Sequence, residues 1–586
     1  MPNRKSTLVV AGLLTAANAS SRCYYGQPCF PTAAELQAFN STIGGRLVAI
    51  LPLQAVCYVG PNFDAAACGE VNANYSNDIY RGDHIAAYEQ INFEECGTSD
   101  WCQPATLGIG LVGTCGQGAV PRYGVAAQSA ADIVAAVGFA KSKNLKVAVK
   151  NTGHDYIGRS SAKDSFVIWT HALVDTAYSA AFVPAGSPGA GVKAITLGAG
   201  VQFDQVYKFA DANGVVMVGG DSGQVGTVGG WLQGGGHGTL TPRYGLGVDN
   251  VLEIELVTAD GQLRTVSEYS SPDLFWALRG GGGGTWGVVT QATFKAYPSE
   301  QLAGVSIVAE GISVGKPEMQ LLLEALARVA PALADIHFGG VIIAGSTGFE
   351  FVGAAPIANA TLLQTALAPL AGALANGSIF ANETLIQSGI FVPTYTTWPS
   401  FLAFYEKFYA PPGEPVGIGA RITSRLVPRA QFVGEENISA LATAIIDAAA
   451  ATGQSQAVQI LVGTPVNVPD TGRTTSVTPA WRSSLWHAIV IGAWAPGASG
   501  AVQKAVAAGV NRANEILVAL APNSGAYQNE ANVDEPNHEQ TFWGDNIHRL
   551  NTVKRKYDPD NFFAVWHGVG WEGPGDPDFV CYDKYN

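Results

Sequence analysis

The sequence predicts an α+β protein built from at least two domains. Its 586 residues exceed what one ordinary core accommodates. Short strand-like runs alternate with amphipathic helices from Tyr123 to Tyr297, where Pro298 and Ser299 end the pattern. A second alternation, of strand-like runs with Ala/Leu-rich helices, occupies residues 301 to about 515.

Taken in order, the chain opens with a short basic start, an apolar stretch and Ala17-Asn-Ala19. That pattern predicts a secretory leader over 1–19, too short to span a bilayer. Beyond it stand six Asn-X-Ser/Thr sequons, at Asn40, Asn74, Asn359, Asn376, Asn382 and Asn437, so a secreted, extracellular glycoprotein is expected. Residues 20–120 read as an extension with little periodicity that carries seven of the eight cysteines. Exported chains favour disulfides, and no CxxC spacing suggests a metal, so no metal site is expected. Seven is odd. If every thiol pairs, Cys581 must bridge back to this extension and pin the chain ends together. The connectivity otherwise stays open.

A helix is predicted over 129–143, followed by strands over 146–149, 194–197 and 251–257. In the second unit, strands are expected over 340–344, 458–461 and 489–494, with helices over 319–333 and 437–451. The Ala-rich segment 355–376 is compatible with a helix. These elements divide the chain into 1–19, 20–120, 121–299, 300–520 and 521–586. A net charge of −14 argues against nucleic-acid binding and offers no basic patch for a membrane surface.

Three glycine-bearing segments carry the chemistry. The first is Lys150-Asn-Thr-Gly-His-Asp-Tyr-Ile-Gly-Arg-Ser-Ser161. Gly153 lets backbone approach a ligand closely, consecutive amides can cradle phosphate oxygens, and His154 sits beside the cradle. The second runs Val218-Gly-Gly-Asp-Ser-Gly-Gln-Val-Gly-Thr-Val-Gly-Gly-Trp-Leu-Gln-Gly-Gly-Gly-His-Gly238. The third is Leu278-Arg-Gly-Gly-Gly-Gly-Gly-Thr-Trp-Gly287. Such glycine density forfeits backbone entropy unless the chain must bend sharply or touch a large ligand. Flexible linkers lack interleaved Val225, Trp231, Leu232 and Trp286, so a buried, extended cofactor is the better account.

These segments, with Ile168-Trp-Thr-His171, Leu197-Gly-Ala-Gly-Val201, Tyr244-Gly-Leu246, Asp273-Leu-Phe-Trp-Ala-Leu-Arg-Gly280, Ser424-Arg-Leu-Val-Pro-Arg429 and Asp558-Pro-Asp-Asn-Phe-Phe563, resemble the vanillyl-alcohol-oxidase type of FAD-linked oxidases. The similarity is to the secreted fungal branch related to berberine bridge enzyme, and it covers nearly everything after residue 20. The resemblance implies a two-lobed FAD-binding domain of the PCMH type, in N- and C-terminal parts, with an inserted substrate domain of antiparallel sheet and helices. It implies FAD attached through the His154 imidazole to the flavin 8α-methyl carbon. Asn151, Thr152, Gly153 and Asp155 would line the pyrophosphate. The segment with Gly226, Gly229, Gly230, Gly236 and His237 would follow the ring and ribityl chain, and Asn561 would lie near the ring's far side. Many relatives add a cysteine link inside Gly-Gly-Glu-Cys-Pro-Thr-Val-Gly. Here the aligned residues are Gly219-Gly-Asp-Ser-Gly-Gln-Val-Gly226, and Ser222 cannot supply a thiolate, so a single attachment is expected.

The implied activity is hydride transfer from a small organic substrate (a sugar, alcohol, phenolic or secondary metabolite) to flavin N5. Dioxygen then reoxidises the flavin and yields hydrogen peroxide. Val225, small and apolar, stands where the family controls dioxygen access. Tyr527-Gln-Asn529 matches the family's Tyr-X-Asn segment, making Tyr527 the expected catalytic tyrosine, although Glu530 and Asp534 depart from the sugar-oxidase version. His487 is expected on one strand face with Ile489 and Ile491, as an acid/base or substrate-binding group or as a packed histidine. Arg421, Arg425 and Arg429 are expected to form ion pairs, and Trp231 and Trp286 to pack the cofactor. A monomer is expected. A dehydrogenase, an oxidative-cyclisation enzyme and a non-catalytic flavoprotein remain alternatives.

Overall fold

Three large sheets and one two-stranded ribbon organise the described residues. The computed structural model describes residues 22–582 except 98, 105, 311–315, 346–347, 381–390, 411–414, 454–457 and 470–474. The expected leader and the sequon at Asn382 lie outside the described residues.

The first sheet contains β1 (Leu47–Ala49), β2 (Tyr123–Ala126), β3 (Val147–Lys150) and β4 (Phe166–Trp169), in the order β1-β2-β4-β3. β4 pairs parallel with both β2 and β3, as a crossover requires, and the helix Ala130–Ser142 makes the β2-to-β3 connection. Ser129 caps that helix by accepting from the Asp132 amide. Its buried Ile133, Ala136, Val137 and Ala140 follow the helical period and pack with Phe166 and Ile168. The extension is no separate appendage, because its β1 pairs antiparallel with β2.

The second sheet is antiparallel, with β5 (Thr176–Phe182), β6 (Val192–Gly198), β8 (Val251–Val257), β9 (Leu263–Ser267) and β10 (Val288–Lys295) in the order β5-β6-β10-β8-β9. A ribbon of β7 (Val215–Val216) with β11 (Tyr297–Pro298) closes this lobe.

The third sheet is also antiparallel and has seven strands. They are β12 (Leu302–Glu310), β13 (Gly339–Gly345), β14 (Gly348–Ala355), β15 (Thr394–Trp398), β16 (Gly419–Pro428), β17 (Val458–Val462) and β18 (Ser484–Trp494). Their order is β15-β12-β14-β13-β17-β18-β16. Strand alternation splits its residues cleanly. Ile342 and Ile460 enter a core with Leu322, Leu363, Ile438 and Leu441 of the helices Lys316–Asp335, Ala360–Ala375 and Glu435–Ala451. Val341, Ile343, Gln459 and Leu461 instead line a chamber on the opposite face.

After the helix Gly500–Leu520 the chain rejoins the glycine-rich lobe. Gln528 donates to the Gly280 carbonyl at 2.6 Å, and Lys554 to those of Thr285 and Phe563 at 2.8 and 2.9 Å. Lys146 of the first lobe reaches the Ala564 carbonyl at 2.7 Å. No helix among the described residues is long and apolar enough to cross a membrane.

All eight cysteines pair, as Cys23–Cys29, Cys57–Cys68, Cys96–Cys581 and Cys102–Cys115. Cys96–Cys581 spans 485 residues and ties the tail to the extension, as the odd cysteine count required. Closing so long a loop restricts the unfolded chain most, so replacing both cysteines with serine should lower stability by about 2–4 kcal/mol. Denaturant unfolding under non-reducing conditions reads this as a lower midpoint.

Candidate active site

Two cavities meet between the lobes. The first is a slot of about 1030 Å³ onto which residues 151–155, 225–230 and 283–287 converge. Its lining includes Asn151, Thr152, Gly153, His154, Asp155, Val225, Gly226, Gly229 and Gly230, so these predicted residues are brought together. Gly153 has φ of +101°, and a Cβ there would meet Lys150 Cε at 3.1 Å and Tyr88 Cα at 3.4 Å. A Cβ on Gly226 would stand 2.3 Å from Asn151 Nδ2. Gly230 differs, since a Cβ there would meet no protein atom within 4 Å and would project into open space.

The loop carrying His154 is held from below. Buried Lys150 donates to the carbonyls of His84 and Ala87, both at 2.6 Å, and burial pushes its amine down to about 7. His154 Nε2 lies 3.9 Å from Glu89 Oε1. Asp155 and Arg159 pair through Oδ2 and Nε at 2.9 Å, and Arg159 reaches Gln528 Oε1 at 3.2 Å and Asn529 Oδ1 at 2.7 Å. Within the slot, Asn151 Oδ1 and Gln233 Oε1 are buried without a protein partner. Buried amide oxygens in that state fit a ligand bearing hydrogen-bond donors.

The second cavity, of about 1320 Å³, lies under the chamber-facing side of the seven-stranded sheet. It shares Tyr156, Val225, Trp231 and Glu530 with the slot, so a molecule in one abuts a molecule in the other. Ile489 and Ile491 line it, as strand alternation predicts.

Several predicted residues fall elsewhere. Ser222 and His237 line the chamber rather than the slot. Gly236 supports Trp231, whose ring carbons would lie 3.0 Å from a Cβ at that position. Asn561 is not among the residues that line the slot. It adopts φ of +49° in the turn after the helix Asn546–Tyr557 and donates to the Gly570 carbonyl at 2.8 Å. Trp286 is fully buried beneath the third glycine segment. The three arginines form ion pairs, Arg421 with Asp534 at 2.5 Å, Arg425 with Glu535 at 3.9 Å and Arg429 with Asp335 at 3.4 Å.

A polar cluster stands where the cavities join. Tyr527 Oη donates to the Trp231 carbonyl at 3.3 Å and accepts from Asn529 Nδ2 at 2.6 Å. Burial, then the Glu530 charge, raises its phenol well above the usual range, so it stays protonated at neutral pH. Glu530 Oε1 is 3.0 Å from His237 Nε2, and Oε2 is 3.4 Å from His487 Nδ1. Burial alone would raise the Glu530 carboxyl, but the charge and hydrogen bond of His237 outweigh burial and hold it below the usual range. His487 is fully buried, and burial pushes its imidazole down to about 3, leaving it neutral. His237, His487 and Glu530 place their ligand-type atoms within 4.8 Å of one another, compact enough to hold a cation. Glu530 is the residue that sequence reasoning did not assign a role, because its partners lie far along the chain, His237 at 293 residues' separation and His487 on β18.

A glycine-walled slot opening onto a separate chamber, with an ionised carboxylate at their junction, suits an enzyme that holds an extended cofactor beside its substrate. The family model for an FAD binding domain matches residues 121–267, and that described as berberine and berberine like matches 526–570. The chain therefore belongs to the FAD-linked oxidoreductases of the vanillyl-alcohol-oxidase and berberine-bridge type. It is 33% identical over 577 residues to an uncharacterised FAD-linked oxidoreductase of Arthroderma benhamiae, covering 94% of both chains. It is 34% identical over 569 residues to FAD-linked oxidoreductase OXR2 of Pyricularia oryzae, covering 92% of this chain and 93% of that one. The crystal structure of the VAO-type flavoprotein MtVAO615 from Myceliophthora thermophila superposes with a TM-score of 0.83 at 28% identity, over 94% of this chain and 98% of that one.

The open space at Gly230 gives a direct test of the slot. Gly230→Val should fold, because its first side-chain carbon meets no protein atom, yet bind at least about tenfold less flavin if the added methyls overlap the cofactor. Flavin absorbance per protein, with circular dichroism as the folding control, measures it. A full flavin complement would place the cofactor elsewhere.

Proposed function

We propose that the protein is a secreted oxidase that removes two electrons from a small organic substrate at a carbon bearing oxygen or nitrogen. The observation that carries this reading is the junction of slot and chamber at Val225, Tyr527 and Glu530. When bound, FAD supplies the two-electron acceptor and passes the electrons to dioxygen, forming hydrogen peroxide. Residues 151–155, 225–230 and 283–287 would hold it.

The chain's own groups divide the remaining tasks. Glu530, ionised and half-buried at the junction, accepts the proton from the substrate's O–H or N–H. His237 orients that carboxylate through its hydrogen bond and shares its charge. Tyr527 keeps its proton and acts as a fixed donor beside the site, steadied by Asn529. Val225 leaves an apolar gap at the junction, which supports access by dioxygen. The seven-stranded sheet supplies the chamber's apolar wall, shields the site from water and suits a substrate with an apolar body.

We assign the flavin a single covalent link, through His154. His154 lines the slot, and no free cysteine exists among the described residues to make a second link. Glucooligosaccharide oxidase of Acremonium strictum, which shares the fold at 19% identity, carries both a 6-S-cysteinyl and an 8α-N1-histidyl FAD. Ser222 in this chain faces the chamber instead. Secretion is supported by the amino-terminal pattern and by four disulfides, which persist in oxidising compartments.

Two outcomes test the reading. After denaturing electrophoresis the wild-type band should fluoresce in acid, His154→Ala should abolish the signal, and Ser222→Ala should keep it. Loss in the serine variant would refute the single histidyl link. A panel of sugars, alcohols, phenols and amines should contain substrates that bleach the flavin anaerobically and release hydrogen peroxide in air. With such a substrate, Glu530→Gln should slow flavin reduction by about a hundredfold or more, whereas Tyr527→Phe, which loses only an orienting hydroxyl, should cost about tenfold. Equal losses would move the proton acceptor away from Glu530.

A further inference from the structure

We propose that His237, His487 and Glu530 form a binding site for one divalent transition-metal ion, whose occupancy excludes proton acceptance by Glu530. Binding stands on geometry alone, and the exclusion rests on the role of Glu530 as proton acceptor.

The spacing fits. Zinc bonds of about 2.0–2.1 Å to nitrogen and oxygen place tetrahedral ligand atoms roughly 3.3 Å apart. His237 Nε2 is 3.0 Å from Glu530 Oε1, His487 Nδ1 is 3.4 Å from the other oxygen Oε2, and the ligand-type atoms of all three residues lie within 4.8 Å of one another, so small side-chain rotations bring them to that spacing. Two imidazoles and one carboxylate are the donor set of many zinc sites that keep a fourth position open. Here the open side is the chamber, which both His237 and Glu530 line.

The histidine on β18 supplies an independent observation. His487 is 0% exposed, and neither ring nitrogen makes a hydrogen bond. A buried imidazole whose Nε2 has no partner, and whose Nδ1 has only the Glu530 carboxylate at 3.4 Å, is costly unless a ligand completes it. A small cavity adjoins it, bounded by Asp221, Trp481 and the histidines themselves. Charge agrees with a cation. Half-buried Asp221 accepts from the Thr239 amide and hydroxyl at 3.1 and 2.8 Å and lines the chamber with His237 and Glu530, so a second carboxyl group stands near the site. Imidazole donors favour zinc-like ions over magnesium or calcium. An ion bonded to Glu530 takes one of its lone pairs and, by its positive charge, makes the carboxylate a much weaker proton acceptor, so the ion and turnover compete.

The test uses the flavin-loaded protein after chelator dialysis, titrated with Zn²⁺ by equilibrium dialysis and elemental analysis. One saturable ion per chain is expected, with no Mg²⁺ competing for it. His237→Gln and His487→Leu should each weaken binding by about tenfold to a hundredfold. The leucine fills the buried position, and flavin absorbance and unfolding temperature confirm that both variants are folded. Absence of saturable binding, or unchanged affinity in both variants, overturns the site. Bound Zn²⁺ should also slow anaerobic flavin reduction in proportion to occupancy, and reduction at an equal or higher rate overturns the exclusion. Flavin content, read separately, reports on the cofactor assignment whatever the metal result.

Discussion

The structure depends on backbone that carries no side chain. Three chain segments far apart in sequence converge on the slot, and at Gly226 or Gly153 a single added carbon would press on a neighbour. Close approach of this kind costs conformational entropy at each glycine, which must be offset by rigid surroundings. The surroundings supply that rigidity. β3 leads straight into the first segment, β6 into the turn that accepts from Asn151 at Ala199, and buried Trp286 underlies the third. The lobe is a frame for holding glycine loops apart by the thickness of a flat ligand.

The loop bearing His154 is clamped from two sides, each time against a segment outside residues 121–299. Lys150 ties it to the extension through two carbonyls, and Tyr582 of the tail donates to the Ile157 carbonyl at 3.0 Å. Trp566 stacks on Tyr582 with ring centres 4.2 Å apart, and Cys581 beside it is bridged to Cys96. The disulfide framework, seemingly remote from chemistry, thus fixes the segments that pin the flavin loop.

Periodicity made much of this legible. The helix Ala130–Ser142, the strands β8, β13, β17 and β18, and the side of β18 that carries Ile489 and Ile491 all follow from spacing. The glycine motifs marked the slot because backbone so costly in entropy persists only where a sharp bend or a close ligand requires it. Three features escaped for physical reasons. β1 is three residues long, too short to show alternation. Asn561 sits in a motif, Asp558-Pro-Asp-Asn561, whose visible feature is a left-handed turn with Nδ2 bound to the Gly570 carbonyl, away from the residues that line the slot. Gly236 lies in a dense glycine run, and composition cannot say which members of the run face a ligand and which make room for Trp231.

Glu530 shows most clearly what one-dimensional pattern cannot carry. Its neighbour Tyr527 matches a recognisable segment, whereas Glu530 only departs from one. Its meaning arises when the returning tail meets the glycine run at His237 and β18 at His487. Alone, each group would be an ordinary buried histidine or a half-exposed carboxylate. Together they hold one carboxylate ionised, one imidazole neutral and a phenol protonated within a few ångströms. Assigning protons to such a set follows from burial and mutual charge, both of which exist only in the folded chain. The chemistry of the junction is therefore a property of three converging segments, legible only once they meet.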